Sequence, residues 1–486
     1  MSTTETLPAD TSASPSDPAG PGKPATRNGL QALAMRLHFY AGVFIAPFIL
    51  IAAVTGALYA ISPILEDVTS KDLLQVEPQG TPKPLADQVR AAVATQPNLA
   101  LVAVSPAPGT ADTTRVIFND PSLGESERRA VFVNPYTAQP VGDSVVYGSS
   151  GALPLRTWID QLHRSLHLGE TGRLYAELAA SWLWIIALAG LVLWFRRVRG
   201  RRNRNSATWL LRPDRSKGGR AKTMNWHGAI GIWTAPVLLL IAATGMTWST
   251  YAGANVTELR EQLSWVTPSV SAKLPGSSTP APASGGDHQH AGHEMPKPEN
   301  PEQRIGQLDV VYAVARADGV TQGSEIAIPA KPGQAFVVKE RRLPGTYTVD
   351  AVAVDGSTGQ VTDRLAYADW PLMAKLTNWG IAFHMGLLFG LPNQLLLLVA
   401  MVGLIFVICY GYRMWWQRRP TRGGSAFGRA PRRGVLRKTS PWITVPLVVA
   451  AAGIGWFIPL VGLSLVAFLV VDVLVGLTQR ARPTSA

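Results

Sequence analysis

The strongest constraint on this chain is the gathering of its apolar residues into long blocks almost free of charge. A helix needs ~20 predominantly apolar residues to cross ~30 Å of hydrocarbon. Residues 37–61, 174–195, 226–250 and 395–416 each meet that length. A fifth block, residues 442–477, is too long for one ordinary span and is interrupted at Gly455 to Pro459. It predicts a tight hairpin of two helices, and so six spans in all. With 47% hydrophobic and only 16% charged residues, the composition also belongs to a membrane protein.

The formal charge of +13 would point to nucleic acid in a soluble protein. Here the basic residues flank the apolar blocks. Residues 196–222 and 413–438 are short connections dense in Arg and Lys, the mark of cytoplasmic loops. No nucleic-acid partner is expected, and membrane lipid is. An even number of spans puts both termini in the cytoplasm, and Lys23, Arg27, Arg36, Arg480 and Arg482 agree. Residues 1–28 contain no apolar run, so no cleavable signal peptide is expected. The single cysteine, Cys409, lies inside a span, which leaves His, carboxylate or Met as metal ligands.

The chain repeats itself. At an offset of 189 residues the first and third spans align His38 with His227, Gly42 with Gly231, Pro47 with Pro236, and Thr55-Gly56 with Thr244-Gly245. At an offset of 221 the second and fourth spans align His163 with His384, Gly169 with Gly390, Leu174 with Leu395, Gly190 with Gly411 and Trp194 with Trp415. The unit is helix, outer segment, helix. Both copies begin and end in the cytoplasm, so they are parallel, related by an axis along the membrane normal.

The outer segments are too long for simple loops. Residues 85–94 read as an amphipathic helix, followed by strands around 101–104, 114–118 and 130–133 and the turn Asn134-Pro135-Tyr136-Thr137. The second segment repeats the order, with a helix at 308–316, strands around 325–328, 335–339 and 347–354, and a turn at 355–359. Between them, residues 268–301 are rich in Pro, Ser, Ala and Gly and read as a disordered linker. The expected fold class is an α-helical polytopic membrane protein with two small α+β outer domains. Its organisation runs through an N-terminal tail (residues 1–29), first span (30–61), first outer domain (62–173), second span (174–196) and basic loop (197–223). It continues with the third span (224–250), second outer domain (251–375), fourth span region (376–417), second basic loop (418–440), hairpin (441–478) and tail (479–486).

Three stretches carry a family resemblance. Residues 131–137 (VFVNPYT) and 352–361 (VAVDGSTGQV) are similar to the closing strand and turn of a PepSY domain. Residues 162–174 (LHRSLHLGETGRL), running into Trp194, look like the second helix of the PepSY-associated transmembrane family. The chain resembles that family over about residues 31–419, in its ordered set of elements more than in any one motif. The resemblance implies PepSY-like outer domains and a place among bacterial iron-uptake membrane proteins and ferric-siderophore reductases.

The histidines fall into two tiers. His38 and His227 lie near the cytoplasmic start of their helices, whereas His163, His167 and His384 precede the outer start of theirs. At ~1.5 Å per residue the tiers are too far apart to share one metal. The feasible cross-repeat pairs are therefore His38 with His227 and His163 with His384. Imidazoles from two helices suit the opposite faces of a b-type haem, and two such haems would form an electron path. No Cys-x-x-Cys-His for covalent attachment is present. Gly42 and Gly231 would let a flat macrocycle approach the backbone, or else serve close helix packing. His167, four residues after His163, falls on the same helical face and has Leu388 as its counterpart, which makes it an alternative ligand or a supporting group. The alternative for all of these is hydrogen bonding to a neighbouring helix. His288, His290 and His293 in the linker offer a further metal site outside, against the simpler reading of a solvated tether. Tyr59, Trp182, Trp248, Trp379 and Trp415 read as interfacial belt residues, and Asp472 as a carboxylate reaching the interface.

By resemblance, the expected function is transfer of electrons from a cytoplasmic donor through the two haems to a ferric siderophore or another ferric chelate outside. No Gly-x-Gly-x-x-Gly fingerprint or large cytoplasmic domain is present for flavin or nicotinamide. The donor is then a separate reductase or a membrane quinol. A non-catalytic protein whose outer domains bind a partner such as a peptidase is the competing reading. An iron-chelate transporter ranks lower, because the spans carry few polar groups at mid-membrane depth.

Overall fold

The computed structural model describes residues 26–199, 211–213, 215–216, 218–277, 300–321, 323–418 and 440–480. The first copy opens with α1 (Thr26–Phe44) and α2 (Ala46–Thr69). The two are divided at Ile45, where Pro47 brings a residue without an N–H into the helix start. The short α3 (Lys71–Leu74) leads to α4 (Leu85–Thr95), strands β1 (Ala100–Ser105), β2 (Thr114–Asn119), β3 (Glu127–Asn134) and β4 (Gln139–Tyr147), then α5 (Pro154–Ser165) and α6 (Gly169–Arg199). The second copy follows the same order. It comprises α7 (Gly219–Met246), α8 (Tyr251–Gln262), α9 (Pro301–Gly306), α10 (Leu308–Ala317), β5 (Ser324–Ala327), β6 (Phe336–Glu340), β7 (Ala351–Val354), β8 (Val361–Leu365), α11 (Leu372–His384) and α12 (Leu391–Trp416). Pro236 lies inside an unbroken α7, although its mate Pro47 separates two helices. The hairpin is α13 (Pro441–Phe457) and α14 (Pro459–Arg480), divided where expected.

Helices α2, α6, α7, α12 and α14 are long and apolar enough to cross a membrane, while α13, at 17 residues, is apolar but shorter. The long helices of the two copies interlock, α2 and α7 both packing on α12 and α6 on α7. Their shared core is built largely of small and aliphatic residues, among them Ala53, Ala179, Leu238, Ala400 and Leu404. Small side chains suit this setting, since helices in lipid associate through close backbone approach.

The outer segments differ from the expectation of two separate domains. They form one antiparallel sheet of eight strands in the order β4-β3-β2-β1-β5-β6-β7-β8. The seam is the pairing of β1 with β5, Ala103 opposite Ala327 and Val104 opposite Ile326. The cause is burial. Helices α4 and α10 share one hydrophobic core with strands of both halves, including Val89, Val104, Phe118, Val311, Ile326 and Phe336. The Asp309 carboxylate accepts the N–H groups of Leu85 (2.6 Å) and Ala86 (3.1 Å), so α10 caps α4 of the other copy. A four-stranded half would leave its seam strand as an open edge, and joining the halves removes two such edges. The edge strands β4 and β8, more polar and exposed, escaped the apolar alternation used to find strands.

The expected linker also begins later than its composition implied. Val270 and Ala272 are buried beside Ala335, Ala351 and Ala353, and Ala335 N–H donates to the Ala272 carbonyl at 2.8 Å. Residues 278–299 of it, with His288, His290 and His293, lie outside the described residues.

Candidate functional site

His38 and His227 lie ring against ring, His163 and His384 line one chamber, and the two tiers repeat the same construction in different materials. In the tier far from the sheet, His38 on α1 and His227 on α7 have ring centres 6.0 Å apart, at 78° to one another. Their Nδ1 atoms lie 3.0 Å from the Ile186 carbonyl and 2.9 Å from the Val407 carbonyl respectively. A carbonyl only accepts, so each Nδ1 carries the proton and Nε2 keeps its lone pair. Ile186 and Val407 are themselves mates at the offset of 221.

In the tier beside the sheet, His163 on α5 and His384 at the end of α11 are bound to Thr55 and Thr244, with Nδ1 to Oγ1 distances of 2.9 Å in both cases. Each threonine hydroxyl has one proton, and it is already directed to the backbone of its own helix: Thr55 to Ile51 O at 2.9 Å and Thr244 to Leu240 O at 2.9 Å. The hydroxyl therefore accepts from the imidazole, and again Nδ1–H is the donor and Nε2 is left for a ligand. Orientation of a ligating histidine by a hydrogen bond to its other nitrogen is the usual support of a metal-binding imidazole.

Glycines make this approach possible. A Cβ at Gly56 would lie 3.2 Å from His163 Cε1, at Gly245 3.1 Å from His384 Cε1, and at Gly190 2.9 Å from His38 Cε1. At Gly411 the same atom would meet His227 Cε1 at 3.7 Å, an ordinary contact. Gly42 and Gly231 are different, because a Cβ on either would meet nothing within 4 Å. Close helix packing therefore does not explain them, and the space beside the far pair is open.

The near pair opens into a chamber of about 1240 Å³ between the helices and the sheet, lined by both His163 and His384. Its membrane half is apolar, with Ile49, Ala53, Leu397, Met401 and Leu404; its sheet half is charged. Tyr59 stacks on His163 at 6.2 Å, and its repeat mate Trp248 meets His384 edge-on at 5.3 Å. These two, read from the sequence as interfacial belt residues, flank the histidines.

Other expected residues fall elsewhere. His167 is not on the helical face of His163, since α5 ends at Ser165 and the chain turns through Leu166 and His167, both at positive φ. His167 is exposed and lies against Trp158 at 5.1 Å. Trp182 is buried, and its indole N–H donates to Ser464 Oγ of α14 at 2.9 Å. Asp472 pairs with Arg36 at 3.1 Å. With Asn255 donating to the Phe457 carbonyl at 2.9 Å, these contacts dock the hairpin against the first copy and α8. Trp379 donates to the Tyr347 carbonyl at 3.0 Å. In the sequence Thr55 and Thr244 stand out only as marks of the repeat. The signal of their role was present in the Thr-Gly pair recurring at the depth of the near histidines.

A duplicated set of membrane-length helices beneath one shared sheet, with histidines paired across the repeat, defines a polytopic membrane protein. Residues 35–418 match the PepSY-associated TM region family, and the chain belongs to that family. It is also 37% identical over 93 residues to an uncharacterized protein of Pseudomonas aeruginosa, a match covering 19% of this chain and 21% of that protein. The chain thus spans about a fifth of the length of that relative.

Proposed function

We propose that this protein is a haem-b oxidoreductase of the bacterial cytoplasmic membrane that passes electrons to a ferric chelate, such as a ferric siderophore, on the sheet side. The observation that carries the reading is the contact common to all four histidines: Nδ1 is hydrogen-bonded to the protein, which leaves Nε2 for a ligand. The residues fit the group. His38 and His227, whose ring centres are 6.0 Å apart, would hold one haem iron through their Nε2 atoms, and His163 and His384 a second. Bound haem would supply one-electron iron chemistry at each tier.

The chain's own contribution is placement. His227 and Thr244 sit on one unbroken helix about 25 Å apart at ~1.5 Å per residue, so the tiers lie toward opposite ends of the spans. The helices between them keep water and bulk oxidants away. The chamber beside the near pair gives a chelate access to that tier, where one electron per ferric ion weakens its hold on hard oxygen ligands. The donor on the opposite side is a separate reductase or a quinol, and both termini lie on that side by the positive-inside rule.

The test is an optical spectrum, oxidised and dithionite-reduced, of the detergent-purified full chain and of His38→Ala and His384→Ala. Two b-type centres with about half the haem lost in each variant is the expected result. Folded protein that stays colourless after expression with ample haem would overturn the reading.

A further inference from the structure

The sheet half of the chamber holds cations that the paired histidines do not use. Arg115 on β2, Arg156 on α5 and Arg341 just after β6 line it together. Arg156 is only 6% exposed; the Tyr59 hydroxyl interacts with its guanidinium, and Nε and Nη2 have no hydrogen-bond partner. Its nearest acid, Glu66, stands 3.6 Å from Nη1 and already accepts the Leu153 N–H at 2.7 Å. Arg115 and Arg341 donate to the neighbouring carbonyls of Gly151 and Ser150, both at 3.1 Å. A Cβ on Gly151 would lie 3.2 Å from each guanidinium, so the two converge on one loop. Burial, and next the repulsion of Arg341, push the Arg115 guanidinium down to about 10, against the pull of Glu66 and Asp112. Burial likewise lowers Arg341, with Glu325 opposing. Asp160 also faces this group, and burial raises its carboxyl despite Arg164 and Arg156.

Buried cations are costly unless paired, and among the acids around these three only Glu66 stands within 4 Å of a guanidinium. We propose that Arg115, Arg156 and Arg341 form a carboxylate-binding site in the sheet half of the chamber. The planar guanidinium fork matches a carboxylate in two parallel hydrogen bonds, and the free Nε and Nη2 of Arg156 present one edge of that fork. Arg156 and His163 lie two turns apart on one face of α5, about 10 Å at ~1.5 Å per residue. A carboxylate at the arginines and a metal at His163 therefore fit one molecule or two neighbours. The source of the carboxylate is either the propionate arms of a haem at the near tier or a carboxylate-bearing ferric chelate, a choice that rests on the function proposed above. The cationic site itself does not depend on it.

The experiment uses the full-length protein with Arg156→Gln and Arg341→Gln, and with Arg156→Lys to keep the charge. Haem content and reduction potential are measured by spectroscopic titration. Binding of ferric citrate is compared with that of a ferric trihydroxamate that has no free carboxylate. If propionates fill the site, R156Q and R341Q lose near-tier haem or lower its potential, since removing a cation disfavours the added electron, and R156K restores it. If the substrate fills it, haem is unchanged, ferric citrate binds about tenfold more weakly or worse, and the trihydroxamate is unaffected. R341Q carries the test should R156Q not fold. Folded variants with wild-type haem content, potential and citrate affinity overturn the proposal, as does wild-type protein that binds neither haem nor citrate. Colourless protein that binds citrate through these arginines keeps the site and removes the electron-transfer reading.

Discussion

The two copies of the repeat agree where a symmetric ligand would need them to and part company where something asymmetric must be recognised. His163 and His384, Thr55 and Thr244, and the carbonyls of Ile186 and Val407 match in kind and in distance to within 0.1 Å. The positions matching Arg115, Arg156 and Arg341 at the same offset are Phe336, Thr377 and Asp120. The cations therefore belong to one site shared across the seam. Duplication built the histidine pairs, and divergence of the copies shaped the chamber above them.

Removing one imidazole from either copy of the near pair has the largest expected effect. His163→Ala and His384→Ala are expected to give the same loss, all of the near haem and none of the far one, as read by the reduced spectrum. Unequal losses would mean that the copies do not share one ligand. A smaller effect separates ligand from support. Thr55→Val and Thr244→Val keep the shape but leave Nδ1–H without its acceptor. Each is expected to weaken haem binding at the near tier by about 10–100-fold, measured by haem titration of the apoprotein, with the far tier unchanged because carbonyls do its work.

How much of this was legible in the sequence depended on the range of the interaction. Spans follow from length and spacing, which are local properties: five of the six expected return as membrane-length helices, while α13 is shorter and the first is divided at Ile45. The fusion of the outer segments was hidden because the seam between β1 and β5 pairs residues more than 200 positions apart, and each strand alone looks complete. Periodicity through residues 163 to 167 promised one helical face, yet positive φ at Leu166 ended the helix first. Trp182 carried a belt signature, but its indole is buried by α14, an element outside the repeat. The arginine cluster draws on β2, α5 and the loop after β6, so no sequence window contains it.

The far tier offers a sharper contrast, because there the copies are not quite equivalent. A methyl at Gly190 would come within 2.9 Å of His38, whereas at Gly411 it would rest 3.7 Å from His227. Gly190→Ala is expected to destabilise the helix pair by about 1–3 kcal/mol and to displace the His38 ring, broadening or shifting the far-haem spectrum. Gly411→Ala is expected to be nearly silent in both thermal melting and spectrum. Equal effects would show that the difference in approach is without consequence.

The smallest difference expected between the two copies lies in the turns that close the outermost hairpins of the sheet, β3–β4 and β7–β8. Asn134 in the first copy accepts the N–H of Tyr136 at 2.9 Å, and its mate Asp355 accepts the Ser357 N–H at 2.9 Å and the Ser357 and Thr358 hydroxyls. Burial alone would raise the Asp355 carboxyl, but these hydrogen bonds outweigh it and hold the group below the ordinary aspartate range. A depressed carboxyl adds stability above its unfolded value, and that stability is lost as pH falls through the folded one. The neutral amide of Asn134 adds none of this dependence. Asp355→Asn should therefore flatten the fall in melting temperature between neutral and acid pH by a small, measurable amount, and Asn134→Asp should steepen it. A pH profile unchanged by either substitution would mean that the two turns hold the sheet equally, whatever their charge.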